Sequence, residues 1–190
     1  NDDDVPAAPH AGVAMPETLE ALPIVRRELP AEVALLGFAG APFTLAAYCI
    51  EGGASKNYEA TKRFMYEQPA AWKRLMGKLV TVMGDYLVAQ ANAGADAVQV
   101  FDSWAGALSA DDYERYARPH TERLIAIASA AGVPVINFST GTGAYLESVA
   151  AAGGTAIAID WRTPLAAAFD RIGGRAVMGA APRPAGSSPG

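Results

Sequence analysis

The chain has 190 residues, 51% hydrophobic and 18% charged, which is enough apolar material for one sizeable core and excludes a disordered protein. Its net charge is −5, and no Lys/Arg run appears, which argues against a nucleic-acid partner. A single cysteine, Cys49, excludes an internal disulfide and any cysteine-rich zinc site, and fits a reducing compartment.

No apolar run reaches the roughly 18 residues of a membrane helix, and no basic segment with an apolar stretch opens the chain. A cytoplasmic protein with no membrane partner is therefore expected. The chain begins Asn1-Asp2-Asp3-Asp4 without methionine, so a fragment, a processed product or an incomplete reading frame is expected.

Residues 1–16 are acidic, Pro/Ala-rich and aperiodic, and are expected to be mobile. A short amphipathic helix follows over Glu17 to Leu29, interrupted or kinked at Pro23. The first strand is expected over Val33 to Phe38, an apolar run suited to a parallel strand covered on both faces. Then come a Gly/Pro turn from Gly40 to Thr44, Tyr48, and the acidic, glycine-rich loop Glu51-Gly52-Gly53.

Two helices are expected next. The first spans Asn57 to Gln68. The second, Pro69 to Ala93, has Trp72, Leu75, Met76, Leu79, Met83, Tyr86, Leu87 and Gln90 at helical spacing, and Gly94 as its stop. Strand two is Asp96 to Phe101. A helical pair follows, Ala110 to Ala117 capped by Ser109, then Pro119 to Ala131. Strand three (Val133 to Phe138), a short helix (Ala144 to Ala152) and strand four (Thr155 to Ile159) come next. Thr163 then caps a helix that ends near Gly173, and strand five is Arg175 to Met178. Residues 17–180 thus read as one domain, and 181–190 as a disordered tail.

Strands alternating with helices imply a parallel sheet, closed as a barrel or open and doubly wound. No G-x-G-x-x-G follows the first strand, which disfavours dinucleotide binding. Four strands end in polar or glycine-rich turns: Gly40 to Thr44, Asp102-Ser103, Ser139-Thr140-Gly141 and Asp160-Trp161. In a barrel these turns converge on one rim, where such folds place their chemistry.

At that rim Tyr48 offers a phenolic donor suited to a carboxylate, or else packs at the barrel mouth. Ser103 offers a small hydroxyl, or else caps its turn. Asp102 can ionise and orient Ser103 or a backbone turn. Asp160 reads as structural, with Trp161 packed on the following helix. Glu51 reads as an acceptor holding its loop, and Lys56 as a solvated lysine near the rim. His120 has no partner at ligand spacing and is assigned no metal role.

The segments Gly37-Phe38-Ala39-Gly40-Ala41-Pro42-Phe43-Thr44-Leu45 with Tyr48, Ile50-Glu51-Gly52-Gly53 and Ser55-Lys56 resemble the central signature of the uroporphyrinogen decarboxylase family. The resemblance continues through Gln90, Ala93 to Gln99 and Phe101-Asp102-Ser103-Trp104-Ala105-Gly106, and more weakly at Pro134 to Ile136, Phe138 and Asp160-Trp161. It implies a (β/α)8 TIM barrel acting as a cytoplasmic homodimer in haem and tetrapyrrole synthesis, with no metal or organic cofactor. The substrate it implies is uroporphyrinogen III, whose four acetate carboxyls are removed to give coproporphyrinogen III. It also implies that Tyr48 and Ser103 contact substrate carboxylates, and that Phe38 and Gly40 line the cleft, glycine allowing close approach of a ligand.

The family's N-terminal arginine-rich motif, its early aspartate-bearing strand and its late Gly-His-Gly strand have no counterpart here. After Gly179, Ala180-Ala181-Pro182-Arg183 stands where the family has Asn-Leu-Asp-Pro. The segment therefore reads as an incomplete barrel of about five strands, and the chain alone is expected to be inactive. Two charge-assisted hydrogen bonds contribute roughly 3–6 kcal/mol against an association cost of roughly 4 or more, so tight binding is not expected. The alternatives are a cobalamin-dependent methyltransferase of the same superfamily, which needs a zinc-bound thiol acceptor, and an inert truncated barrel with open edges.

Overall fold

Five short strands, each separated from the next by helix, join into one parallel sheet in a computed structural model that describes residues 15–53, 55–173 and 176–179. The strands are β1 (Leu36–Gly40), β2 (Ala97–Asp102), β3 (Val135–Ser139), β4 (Ala156–Ile159) and β5 (Ala176–Gly179), and they lie side by side in chain order. This order is what successive right-handed crossovers produce, each helix returning the chain to the same end of the sheet. The arrangement is the α/β, barrel-type architecture expected, with five parallel strands.

The helices are α1 (Pro16–Glu28), α2 (Pro42–Glu51), α3 (Glu59–Glu67), α4 (Pro69–Asn92), α5 (Ala110–Asp112), α6 (Arg118–Ser129), α7 (Leu146–Ala151) and α8 (Leu165–Ile172). Alternation along the strands sends Val98, Val100, Val135 and Ile157 into fully buried positions beneath the helices. Around the three valines, Val80 and Leu87 of α4 and Leu124 of α6 close one apolar cluster, whereas Ile157 belongs to another. A second cluster gathers Phe43, Met65, Trp72, Met76, Tyr113 and Leu146. The α4 face read from the sequence is thus the packed one, with Trp72, Met76, Tyr86, Leu87 and Gln90 buried.

Several boundaries differ from the expected ones. β1 begins at Leu36 rather than Val33, because the Val33 N–H closes a turn onto the Pro30 carbonyl and Val33 stays exposed. The Arg26 guanidinium stabilises this approach by donating to the carbonyls of Pro30 and Val33 and to Asp96. Helix α1 runs unbroken through Pro23. Between α5 and α6 the backbone makes a π-turn over Tyr113–Ala117 rather than separating two helices. Pro119, lacking an N–H, sits in the first turn of α6, where such a widening is tolerated.

Thr163 does not cap α8; Pro164 holds that position with an extended backbone. Trp161 does not pack on α8 either: it is 68% exposed, with the Arg162 guanidinium 4.7 Å above its ring. The expectations for 1–16 and 181–190 lie outside the described residues, apart from Met15 and Pro16, which lead into α1. Among the described residues no helix is long and apolar enough to cross a membrane.

Candidate active site

The ends of β1 to β4 and the loops that follow them form one rim, because all four strands are parallel. Hydrogen bonds lace these ends together. The Ala41 N–H donates to the Phe101 carbonyl, the Gly106 N–H to the Thr140 carbonyl, and the Gly141 N–H to an Asp160 carboxylate oxygen. The loops after β2 and β3 touch so closely that a Cβ at Gly106 would lie 2.4 Å from the Thr140 carbonyl oxygen.

The stretch after β1 is a helix, not the expected turn and loop. Pro42 pre-sets the first helical φ, and Gly52, at φ +65°, closes α2 with its N–H on the Tyr48 carbonyl. Tyr48 therefore projects from the last turns of α2, 53% exposed, and meets Trp104 edge to face with ring centroids 5.9 Å apart. Tyr58 also packs on Trp104, tilted, with ring centroids 5.5 Å apart.

Tyr58 is the one described non-glycine residue with positive φ (53°), and is held there by its neighbours. Its N–H donates to Ser55 Oγ. Glu51 accepts from both the N–H and the hydroxyl of Thr61, in the loop-holding role expected of it. Those bonds from Thr61 hold the Glu51 carboxyl below its usual pKa, the backbone N–H contributing most. Burial raises the pKa of the Tyr58 phenol, and the neighbouring Tyr48 and Glu51 raise it further.

Tyr48 and Ser103 line adjoining clefts with a common wall. A cleft of about 380 Å³ is lined by Ala47, Tyr48, Gly53, Ser55, Tyr58 and Trp104. A second, of about 420 Å³, is bounded by Ser55, Tyr58 and Trp104 again, together with Ser103, Lys56 and Arg162. Arg162 also pairs with Asp160, whose carboxylate accepts from the Gly141 and Arg162 N–H groups, a structural role.

Asp102 does not orient Ser103. Neighbouring residues on a strand point to opposite faces, so Asp102 turns under the helices while Ser103 reaches the rim. Asp102 is 1% exposed and accepts a 2.8 Å hydrogen bond from the Thr44 hydroxyl. Thr44 Oγ1 in turn accepts from the Trp104 N–H at 3.2 Å. Burial pushes the Asp102 carboxyl up to about 6, against the lowering effect of Thr44.

Phe38 lies on the sheet face opposite the helices, 62% exposed, and starts an aromatic row. Phe38 meets Phe101 at 5.9 Å, and Phe101 meets Phe138 at 5.4 Å. At Gly40 the close approach is from Leu45: a Cβ there would lie 2.8 Å from its side chain. Neither residue lines the two clefts. His120 lies on α6 and lines neither cleft, its pKa lowered by burial and by Lys73 and Arg123.

Sequence reasoning did not find the Tyr58 and Trp104 wall, nor the Thr44 link. Trp104 stands inside the family-like motif, but nothing in its spacing points to α2. The side-chain amide of Gln90 was missed as well. It accepts from the Phe38 N–H and donates to the Phe38 carbonyl, both at 2.9 Å.

A family profile described as uroporphyrinogen decarboxylase (URO-D) matches residues 3–182, nearly the whole chain. The chain belongs to the uroporphyrinogen decarboxylase family. It is 52% identical over 162 residues to uroporphyrinogen decarboxylase of Sorangium cellulosum, an alignment covering 85% of this chain and 46% of that protein. With the enzyme of that name from Carboxydothermus hydrogenoformans it shares 54% identity over 159 residues, 84% of this chain and 45% of the relative. With that of a Thermus thermophilus strain the identity is 53% over 169 residues, 89% and 47% of the two chains. The chain thus spans about half the length of the curated relatives it matches.

Among solved structures it resembles a methyltransferase from Methanosarcina mazei, with TM-score 0.77 and 18% identity, over 90% of this chain and 50% of that one. That likeness concerns the fold alone. It agrees with the α/β, barrel-type fold that the sequence suggested.

Proposed function

We propose that this chain forms the strand-end rim of a uroporphyrinogen decarboxylase, the whole protein converting uroporphyrinogen III to coproporphyrinogen III. The observation that carries the reading is the joined cleft in which Tyr48 and Ser103 flank one aromatic wall, in a chain with relatives of that name about half identical to it. In this reading the Tyr48 phenol and Ser103 hydroxyl donate to carboxylates of the macrocycle. Lys56 adds positive charge beside them, while the Arg162 charge is paired with Asp160. Phe38 and Gly40 lie outside the two clefts and are assigned to the substrate from the sheet face opposite the helices, where Phe38 begins an aromatic row.

The chemistry is a proton-for-carbon-dioxide exchange. A proton adds to a pyrrole carbon, and the ring takes up positive charge. The bond from the acetate methylene to its carboxylate then breaks, its electrons return to the ring, and carbon dioxide leaves. A proton taken up at the methylene gives the methyl, and the ring proton is released. Fixed dipoles in a water-poor cleft stabilise such a cation better than water does. The complete protein acts in this reading as a cytoplasmic homodimer, with neither metal nor organic cofactor.

A chimera tests this. Residues 16–179 replace the matching segment of the Thermus thermophilus relative, and coproporphyrinogen formation is followed. The expected result is turnover within about tenfold of the parent, a barrier raised by no more than ~1.4 kcal/mol. A folded chimera without turnover contradicts the reading.

A further inference from the structure

We infer that Asp102 and Thr44 are positioning residues: the buried carboxylate fixes the Thr44 hydroxyl so that it holds the Trp104 backbone, and through it the wall joining Tyr48 to Ser103. This inference deepens the proposed function and rests on it only for the identity of the ligand.

The chain of contacts has one direction. An ionised carboxylate can only accept, so the single hydroxyl hydrogen of Thr44 must point at Asp102 Oδ1, 2.8 Å away. Both lone pairs of Thr44 Oγ1 then face elsewhere, and one receives the Trp104 N–H at 3.2 Å. Trp104 thereby carries its ring against Tyr48 at 5.9 Å and Tyr58 at 5.5 Å. Both Asp102 and Thr44 are sealed from solvent, 1% and 3% exposed, so water does not replace either bond.

The second carboxylate oxygen, Oδ2, is buried with no hydrogen-bond partner among the described residues. An orphan oxygen of this kind is costly while charged and is relieved by a proton. The titratable groups that face Asp102 are Tyr113, from the π-turn, and Tyr145, which precedes α7. Burial holds both phenols protonated, and the charge on Asp102 adds to the effect. Tyr145 spends its hydroxyl hydrogen on the Ala105 carbonyl. No salt bridge reaches Asp102 among the described residues.

A protonated Asp102 has its own hydrogen to donate. The Thr44 hydroxyl is then no longer forced to one orientation, and its hold on the Trp104 N–H slackens. The Trp104 amide is therefore a reporter of a proton it never touches.

The test is a pH titration, by nitrogen-15 NMR, of the Trp104 backbone amide and indole in the 190-residue chain, with signals assigned through Trp104→Phe. The expected midpoint lies near the raised value of about 6, well above the ordinary 3.8 of an aspartate. Asp102→Asn abolishes the titration and Thr44→Val uncouples it, whereas Thr44→Ser, which keeps the hydroxyl, preserves it.

Three results overturn the inference: Trp104 signals that do not titrate in the natural chain, a titration surviving in Asp102→Asn, or one surviving in Thr44→Val. Should Asp102→Asn fail to fold, the natural chain and the two Thr44 variants still decide. Uroporphyrin added to the Thermus thermophilus chimera, which restores the rest of the barrel, separates the two readings. A porphyrin that leaves Tyr48, Ser103 and Trp104 unshifted removes the ligand assignment, while the Trp104 titration still decides the positioning unit.

Discussion

Tyr48 and Trp104 meet edge to face at the sheet rim, their ring centroids 5.9 Å apart and their planes at 72°. One ring comes from the end of α2 and the other from the turn after β2, so this contact joins two βα units at the point where their clefts meet. An edge-to-face pair contributes about 0.5–1.5 kcal/mol beyond the area it buries.

A double-mutant cycle isolates that contribution. Tyr48→Leu and Trp104→Leu each remove the pair, and urea unfolding of both single variants and the double variant gives the coupling. The expected coupling is about 0.5–1.5 kcal/mol. A value near zero would mean the rings touch without helping to hold the rim.

Gln90 gives a larger stability effect. The Ala41 N–H bonds to β2, so by alternation the Phe38 backbone groups point away from it, and the Gln90 amide satisfies both. Gly37 leaves the space for this, since a Cβ there would lie 2.9 Å from Gln90 Oε1. Gln90→Leu strands two polar groups, at a cost of about 2–4 kcal/mol. The expected result is a lower urea midpoint with an unchanged slope.

Much of the fold was legible because its signals are local. The strands are short apolar runs, α4 shows its buried face at helical spacing, and Gly94 marks its end, whereas α2 was not expected. The site was legible only through polar side chains near turn signals: Ser103 directly follows β2, and Tyr48 stands between residues 40–44 and Gly52-Gly53. Trp104, Tyr58 and Thr44 were not, because their partners lie far along the chain and no periodicity links them. Asp102 was misdirected by sequence adjacency: it stands beside Ser103 in the chain, yet its side chain leaves by the other face of β2.

Asp102 also predicts a dependence of stability on pH. Its folded pKa of about 6 exceeds the ordinary 3.8. The folded chain thus holds the proton more tightly than the unfolded one. The contribution is fully present below about pH 3.8 and is lost as pH rises through about 6. A difference of this size corresponds to about 3 kcal/mol.

Urea unfolding at several pH values, compared between the natural chain and Asp102→Asn, reads the difference directly. As pH rises from about 3 to about 7, the natural chain is expected to lose about 3 kcal/mol relative to the variant. At about pH 7 the variant is expected to be at least as stable, since it buries no charge. Parallel curves for the two proteins would place the Asp102 proton elsewhere.

The central claim is that Tyr48 and Ser103 serve one substrate across a common wall. The most direct measurement is kcat/KM for uroporphyrinogen III in the Thermus thermophilus chimera carrying Tyr48→Phe, Ser103→Ala and both. Each single change is predicted to lower it by roughly 10- to 100-fold, the loss of one hydrogen bond to a charged group. Rates in the double variant equal to those of the unaltered chimera would contradict the account.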